Sequence, residues 1–357
     1  MTSVLLLSHS HPYGPFRVGS HHYAREWARA GIRVVHLSTP VSLAHRATGR
    51  VNAATASAIP SGVRVDEDGV TYIVPRTTLP RPYGRFRVAD ELDRHGIETP
   101  FDAVLIDQPL LWDASVRGLS PTLVYRPTDA YPAGAKSRLQ REIVAHADGI
   151  VATSQEVLRM LGPVTVPTLV LENGVEIARF ESRRSAPRPD VCVYVGALDE
   201  RFDWYQLSAW AASHPDIRFD IVGPDPAPPA ALPANVVLRG AVPYGRVPAI
   251  LHTARVGLLP LSDDPLNAGR SPMKLYEYLA AGLAVVTRET PVLHDDPTTG
   301  VYGYRGAEDA DAALRRALAH HSPNTPGVTR ARTASWPAKA TSLTRFLTAL
   351  SSPPRQP

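Results

Sequence analysis

Short apolar runs that stop at a glycine or a polar turn recur along this 357-residue chain and alternate with stretches of helical periodicity. Ser3 to Ser8 is a continuous apolar run, as expected of a strand buried on both faces. A loop holding Pro12, Gly14, Pro15 and Gly19 follows. Ser20 is placed to N-cap a helix from His21 to about Ala30, and Gly31 to end it in the left-handed conformation. Ile32 to Leu37 is the next strand. A strand, a loop, a helix and a second strand in this order open a doubly wound parallel sheet. Asp102–Ile106, Thr122–Tyr125 and Gly149–Thr153 read as further strands, with a helix over Arg138–Ala147 and another starting at Ser154. Val63–Val65 and Val70–Val74 flank Asp66-Glu67-Asp68-Gly69 as a predicted hairpin. Pro40 to Gly62 has little periodicity and reads as a long loop.

The pattern breaks near Gly162–Pro167, resumes with a strand at Leu169–Leu171, and breaks again in the Arg-, Pro- and Ser-rich segment Ser182–Asp190, which reads as a linker. A second α/β series follows. Val191–Val195, Phe219–Val222 and Val236–Arg239 are strands ending at Gly196, Gly223 and Gly240; Val256–Leu259 and Ala284–Thr287 are two more. Trp336–Leu350 reads as a closing helix and Ser351–Pro357 as a loose tail. Two Rossmann-like β/α/β domains are therefore expected, 1–168 and 169–335, facing each other across a cleft. The closing helix, within 336–357, is expected to pack back on the first domain. Ligands of such sheets bind beyond the carboxyl ends of the strands. Gly196, Gly223 and Gly240 stand where backbone can approach a ligand closely, or simply turn.

Composition narrows the class. Hydrophobic residues make up 44% and charged residues 20%, which excludes wholesale disorder. A single cysteine, Cys192, excludes an internal disulfide. No basic leader precedes the short run Val4–Leu7, and no run nears the roughly 18 apolar residues of a membrane helix. A cytoplasmic protein is expected, with no nucleic-acid partner. The net charge of +4 and the arginines of the first half (Arg17, Arg25, Arg29, Arg46, Arg50, Arg76, Arg81, Arg85, Arg87) allow peripheral contact with an anionic inner membrane face. Arginine is abundant and lysine occurs only as Lys136, Lys274 and Lys339. A lysine kept against that bias is a candidate for a task that a planar guanidinium cannot perform.

Lys274 lies in the most informative stretch, Asn267 to Val286. There Ser271 is the expected N-cap and Pro272 the first helical residue, with Gly282 closing a helix that runs to Ala281. The free N–H groups of such a helix start form a diphosphate seat. A lysine in this first turn is repelled by the helix dipole unless an anion sits between them. Lys274 and Glu277 share a face. Lys274 can meet phosphate oxygens and Glu277 can accept from ribose hydroxyls; a plain surface ion pair is the competing reading.

This stretch, with its Ser-Pro-x-Lys-x-x-Glu-Tyr-x-Ala-x-Gly-x-x-Val-Val pattern, resembles the donor segment of GT-B glycosyltransferases. It is most similar to bacterial exopolysaccharide transferases such as the xanthan glucuronosyltransferase and the teichuronic acid transferases. Gly19-Ser-His-His, Val124 to Asp129, Asn173-Gly-Val, Tyr194 to Trp204, Val222-Gly-Pro and Gly240 to Tyr244 match in the family's order. The resemblance implies a GT-B α/β fold and transfer of a sugar from a nucleoside diphosphate sugar to a small-molecule or lipid-linked glycan acceptor. It also implies donor contacts at Gly196, Gly223, Val242, Tyr244, Ser271, Met273, Lys274 and Glu277, Tyr244 and the backbone near Val242 holding the nucleobase. The paired-glutamate signature of the retaining sucrose-synthase-like enzymes is incomplete, because Gly269 takes the first position. Their arginine after the glycine-ending strand is replaced by Ala197, with Arg201 as a stand-in. The reading leans to inversion; retention, epimerisation and non-catalytic nucleotide-sugar binding stay open.

An inverting transfer needs a base for the acceptor hydroxyl. The resemblance places the family's catalytic aspartate at Asp129, just past Thr122–Tyr125. His21 and His22, opening the first helix, are a second candidate, with Asp129 orienting the imidazole. No metal or cofactor is expected: Asp263-Asp264 and Asp295-Asp296 sit in Pro-containing loops without histidine or cysteine company.

Overall fold

Two mainly parallel sheets, each inside its own unit of chain, set the positions of everything that follows. The computed structural model describes residues 1–14, 17–44, 59–60, 62–81, 83–129, 131–181, 188–224 and 226–351. Most of the Pro40–Gly62 loop, Arg46 and Arg50 with it, lies outside the described residues. So do 182–187 of the Ser182–Asp190 linker and 352–357 of the tail. One unit comprises Met1–Glu172 with Lys339–Pro357, the other Asn173–Ala338.

The first unit contains β1 (Ser3–Ser8), β2 (Arg33–Ser38), β3 (Val41–Ser42), β4 (Val63–Val65), β5 (Thr71–Ile73), β6 (Arg76–Thr77), β7 (Ala103–Ile106), β8 (Thr122–Tyr125), β9 (Gly149–Ala152) and β10 (Thr168–Val170). Eight of these form one sheet in the order β10-β9-β8-β7-β1-β2-β5-β4, while β3 and β6 pair apart from it. The hairpin pair β4–β5 is antiparallel and the remaining neighbours in this sheet run parallel. Every residue of β1 is buried, the mark of a central strand covered on both faces. Sequence runs outward from β1 to β2 on one side and from β7 through β10 on the other. The order therefore reverses between β1 and β7, and ligand crevices of open α/β sheets lie at such reversals.

The second unit holds β11 (Val191–Val195), β12 (Arg218–Val222), β13 (Val236–Gly240), β14 (Val256–Leu259), β15 (Ala284–Arg288) and β16 (Val301–Tyr304). Their order is β13-β12-β11-β14-β15-β16, all parallel, with the reversal between β11 and β14. The Trp336–Ser351 helix starts in this unit, and from Lys339 onward belongs to the first. There Trp27 Nε1 donates to Thr344 Oγ1 at 2.8 Å, and a Cβ on Gly149 would stand 2.7 Å from Leu350 Cδ1.

The first helix departs from its sequence reading. It spans Gly19–Arg29 with Val18 as N-cap. Ser20 lies inside it, its hydroxyl 2.7 Å from Ser8 Oγ and 3.1 Å from His36 Nε2. Ser20 thus ties the helix to the buried ends of two strands instead of capping it. The helix expected from Arg138 begins earlier, at Gly134, and runs to His146.

Candidate functional site

The helix following β14 spans Met273–Ala280, with Pro272 as N-cap, no side-chain cap and no acidic residue in its first turn. Ser271 is therefore one residue too early to cap. Its hydroxyl accepts from the Asn173 backbone N–H at 3.2 Å and its carbonyl from Asn173 Nδ2 at 2.8 Å. With Ser271 held by this long-range partner the helix starts one residue later, and among the described residues no side chain caps it. At the other end Gly282, at φ 78°, donates to the Leu279 carbonyl at 2.9 Å, the left-handed stop its sequence position suggests.

Lys274 and Glu277 do not form the surface ion pair that was the simpler alternative. Glu277 is 7% exposed and Lys274 half-buried, and among the described residues no ion pair joins them. The Lys274 ammonium lies 5.2 Å from the centre of the Tyr194 ring. Burial pushes it down to about 7, Arg270 pushes the same way, and Glu277 opposes both. Burial likewise pushes Glu277 up to about 7 against the pull of Lys274. Tyr244 donates to Glu277 Oε1 at 3.2 Å. A cation thus stands at the positive end of a helix, beside a second cation and without a bonded carboxylate. Those charges suit an anion.

Gly196 and Gly223 explain how the strand ends admit this lysine. Gly196 donates to the Val222 carbonyl at 2.9 Å and Gly223 to the Gly240 carbonyl at 3.0 Å, extending β11 and β12 past their last residues. A Cβ on Gly196 would overlap Lys274 Cε, and one on Gly223 would overlap the Gly196 carbonyl oxygen. Lys274 therefore stands at the end of β11, at the reversal of strand order. Gly240 is a turn glycine at φ 66° with open space around it. Gly196→Ala is expected to displace the ammonium at little cost in stability, because the clash is with the mobile end of the lysine side chain, and to weaken nucleotide binding. Urea unfolding checks the stability, and nucleotide-induced thermal shift checks the site.

Other expected donor residues are distributed differently. Arg201 is engaged with Asp199, its Nε 3.2 and 3.1 Å from the two carboxylate oxygens, so its charge is locally balanced. Val242 and Tyr244 pack against the hydrophobic core of this unit. The Tyr244 ring meets Phe180 edge-on at 6.0 Å and Arg179 at 5.2 Å, which makes it a support for Glu277. Met273 is half-buried in the first helical turn.

A family model described as Glycosyl transferases group 1 matches residues 189–320, the stretch that contains β11 through β16 and the Lys274 helix. The match covers little more than a third of the chain. A protein of Bacillus subtilis (strain 168), TuaH, whose name assigns it a glycosyltransferase role in teichuronic acid biosynthesis, is 27% identical over 261 residues. The match covers 66% of this chain and 64% of that one, so the chain spans under two thirds of that relative's length. Among solved structures, the sucrose-phosphate synthase of Thermosynechococcus elongatus superposes with a TM-score of 0.73 at 15% identity, over 98% of this chain and 99% of that one. Anabaena HepE, solved with UDP and glucose, gives 0.71 at 13%, over 98% and 100%. The fold is GT-B.

Outside residues 189–320, the first unit gathers a second set of polar groups at its own strand ends. Asp107 and Arg126 are the first residues past β7 and β8, and both are 1% exposed. Arg126 Nε donates to Asp107 Oδ1 at 2.9 Å and Nη2 to Oδ2 at 2.5 Å; the guanidinium also faces the Tyr23 ring at 5.1 Å. Asp129 is half-buried in the loop after β8. His9, one residue past β1, keeps solvent access although crowded. Crowding lowers its basicity, while Asp107 and Asp129 raise it. Asp107→Ala is expected to cost about 3–5 kcal/mol in urea unfolding, because it strands a buried guanidinium.

The structure places both histidines that sequence suggested as bases in the first turn of the Gly19–Arg29 helix. His21 Nδ1 accepts from the Val18 N–H at 3.2 Å and its Nε2–H donates to the Ser10 carbonyl at 3.2 Å. Both ring nitrogens are thus engaged in closing the helix start, and burial holds the ring neutral. His22 is buried as well, at 3% exposure. His9 and Asp107 were not singled out by sequence reading; Arg126, Asn173, Tyr194 and Arg270 lay in the segments Val124–Asp129, Asn173-Gly-Val, Tyr194–Trp204 and Asn267–Val286, without a role of their own.

The acidic pairs have structural partners. Asp295 meets Arg316, Asp296 meets Arg330, Asp263 meets Arg288, and Asp264 accepts from the Leu266 N–H at 2.8 Å. Among the first-half arginines, Arg29 pairs with Asp68, Arg87 with Asp90, Arg76 donates to the Ile59 carbonyl and Arg81 to the Leu110 carbonyl. None of the described helices is long and apolar enough to cross a membrane.

Proposed function

We propose that the chain transfers a sugar from a nucleoside diphosphate sugar to an acceptor hydroxyl, without a metal ion and with inversion. The observation that carries this reading is Lys274, an enclosed ammonium at an uncapped helix start. The first-turn N–H groups and Lys274 take the diphosphate, whose developing charge they stabilise as the sugar leaves. Glu277, steadied by Tyr244, accepts from the ribose hydroxyls. Asp129 takes the proton of the acceptor hydroxyl as its oxygen attacks the anomeric carbon. Asp107 and Arg126 hold the strand ends beneath that loop. The group 1 match and the named role of the B. subtilis relative support the activity. The UDP bound in HepE supports a nucleoside diphosphate as the leaving group. The acceptor is a small molecule or a lipid-linked glycan, reached in the cytoplasm or at the inner membrane face.

A turnover assay tests this. Nucleoside diphosphate sugars are offered with an acceptor panel, with and without EDTA, and the product anomer is read by NMR. Acceptor-dependent release of nucleoside diphosphate, insensitive to EDTA and with the anomeric configuration reversed, is the expected result. Retained configuration would overturn the inverting assignment, and an epimerised donor without transfer would overturn the reading as a whole.

A further inference from the structure

β3 and β6 pair apart from the main sheet of the first unit, and a cavity of about 240 Å³ lies against them. Val41, Leu43 and Ile59 form its aliphatic walls, and Ser42, Thr77 and Thr78 add hydroxyl-bearing side chains. Arg76 is the charged residue in the lining, and its Nη2 donates to the Ile59 carbonyl at 3.0 Å. Among the described residues that line the cavity, none carries an aromatic ring or a carboxylate. A sugar ring therefore finds no aromatic face to stack on there, and hydrocarbon is the chemistry that suits these walls.

The cavity stands on the same rim as the candidate base. β2 ends at Ser38 and β3 begins at Val41; β5 ends at Ile73 and β6 begins at Arg76. Leu37 pairs with Ile73 in parallel register, so the cavity lies past the carboxyl ends of two neighbouring strands. His9 and Asp129 lie past the carboxyl ends of β1 and β8 in the same parallel run. Neighbouring strands are about 4.8 Å apart, and β2 and β5 stand three and four places from β8. The strand ends beneath the cavity and beneath the Asp129 loop are thus about 15–20 Å apart, a span that a glycan head with its linker covers.

Exposed apolar side chains gather at the same place. Leu43 is 58% exposed, Leu79 50% and Tyr83 80%. The Ala44 N–H donates to the Thr78 carbonyl at 3.3 Å, which sets the residues after β3 beside those after β6. A single exposed leucine is ordinary. Here Leu43 is itself part of the wall and Leu79 follows the lining residue Thr78, so the exposed apolar surface runs into the cavity.

We propose that this cavity holds the hydrocarbon part of the acceptor, which is an amphiphile whose hydroxyl-bearing end meets Asp129. This rests on the transferase reading and narrows its acceptor: a free sugar leaves the cavity unfilled, and a glycan or small molecule carrying an alkyl or prenyl group fills it.

The test is calorimetric titration of the full chain with methyl, butyl, hexyl and octyl β-glucosides, kept below micelle formation. Wild-type affinity is expected to rise with chain length, by up to about fourfold per buried methylene, and to level off once the cavity is filled. Leu43→Asp puts a charge on the wall at a position exposed enough to keep the fold, and is expected to flatten the rise. Val65→Asp is the control and should keep it. Val65 is similarly exposed but pairs with Thr71, at the amino end of β5. Affinity independent of chain length in wild type, or an equal rise in Leu43→Asp and Val65→Asp, overturns the proposal. Farnesyl β-glucoside is titrated beside the octyl compound: tighter binding of the first assigns a prenyl chain, and of the second a straight alkyl chain. UDP, GDP and ADP are titrated alongside. A nucleotide response without dependence on chain length sinks this proposal and spares the transferase reading; dependence on chain length with no nucleotide response does the reverse.

Discussion

Nucleoside diphosphate is expected to raise the melting temperature of the wild-type protein and to leave Lys274→Ala where it was. At a ligand concentration about a hundred times Kd the stabilisation is about 2.7 kcal/mol, or several degrees for a unit of this size. Its loss would therefore be plain in a thermal scan. The pH dependence is a sharper check. Lys274 is pushed down to about 7 by burial, and a bound diphosphate needs the ammonium. Affinity should fall as pH rises above 7, by up to about tenfold per unit, with proton uptake on binding. Stability of the unliganded protein carries its own sign. Between about 7 and 10.5 the unfolded chain keeps the Lys274 proton that the folded chain has lost, so this residue's contribution improves as pH rises through that window. Glu277 is raised, so its contribution worsens as pH rises from 4.5 to about 7. Lys274→Met should accordingly melt about 2–4 °C higher than wild type at pH 7 without ligand, on the order of 1 kcal/mol, and lose the ligand response. An unaltered nucleotide shift in Lys274→Ala would remove the basis of the donor assignment.

Asp129→Asn is expected to keep that nucleotide shift and to lower turnover by about 10²–10⁴, the usual contribution of a positioned general base. The exchange preserves size and removes the proton acceptor, and Asp129 lies in the first unit while the nucleotide groups lie in the second. Binding and chemistry should therefore separate cleanly. Full turnover by Asp129→Asn would place the base elsewhere, and His9 is then the group to remove next, because it stands at the same strand ends and is the nearer alternative to His21, whose ring nitrogens are both engaged.

Most of the strands were legible because they are short apolar runs, the central ones buried on both faces, and the two series followed from their spacing; Val301–Tyr304 and the short pair Val41–Ser42 and Arg76–Thr77 were not read. Helices rich in alanine were not legible. Ala307–Ala319 buries Ala310, Ala313 and Ala317 beside one leucine, and small side chains give little periodic contrast. Trp204–Ser213 is apolar around much of its circumference, with the same effect. At the donor site the sequence located Lys274 and Glu277 on one helical turn. It could not show that Ser271 is taken by Asn173, a hydrogen-bond partner 98 residues away, which shifts the helix start. Nor could it separate lysine from glutamate, because Tyr194 and Tyr244 decide where each side chain goes. In the first unit, Asp107 and Arg126 become partners only through the register that sets Ile106 beside Tyr125. His9 is an ordinary polar residue after an apolar run and gave no local cue.

The Trp336–Ser351 helix has a bearing on biogenesis. From Lys339 onward it is part of the unit that begins at Met1, where Thr344 receives the Trp27 indole and Ser351 meets Thr122 at 2.9 Å. The half of the protein made first on the ribosome therefore stays unfinished until residue 351 has emerged, while the half made second can close before it. A premature stop ahead of Lys339 would injure the amino-terminal domain and spare most of the carboxyl-terminal one.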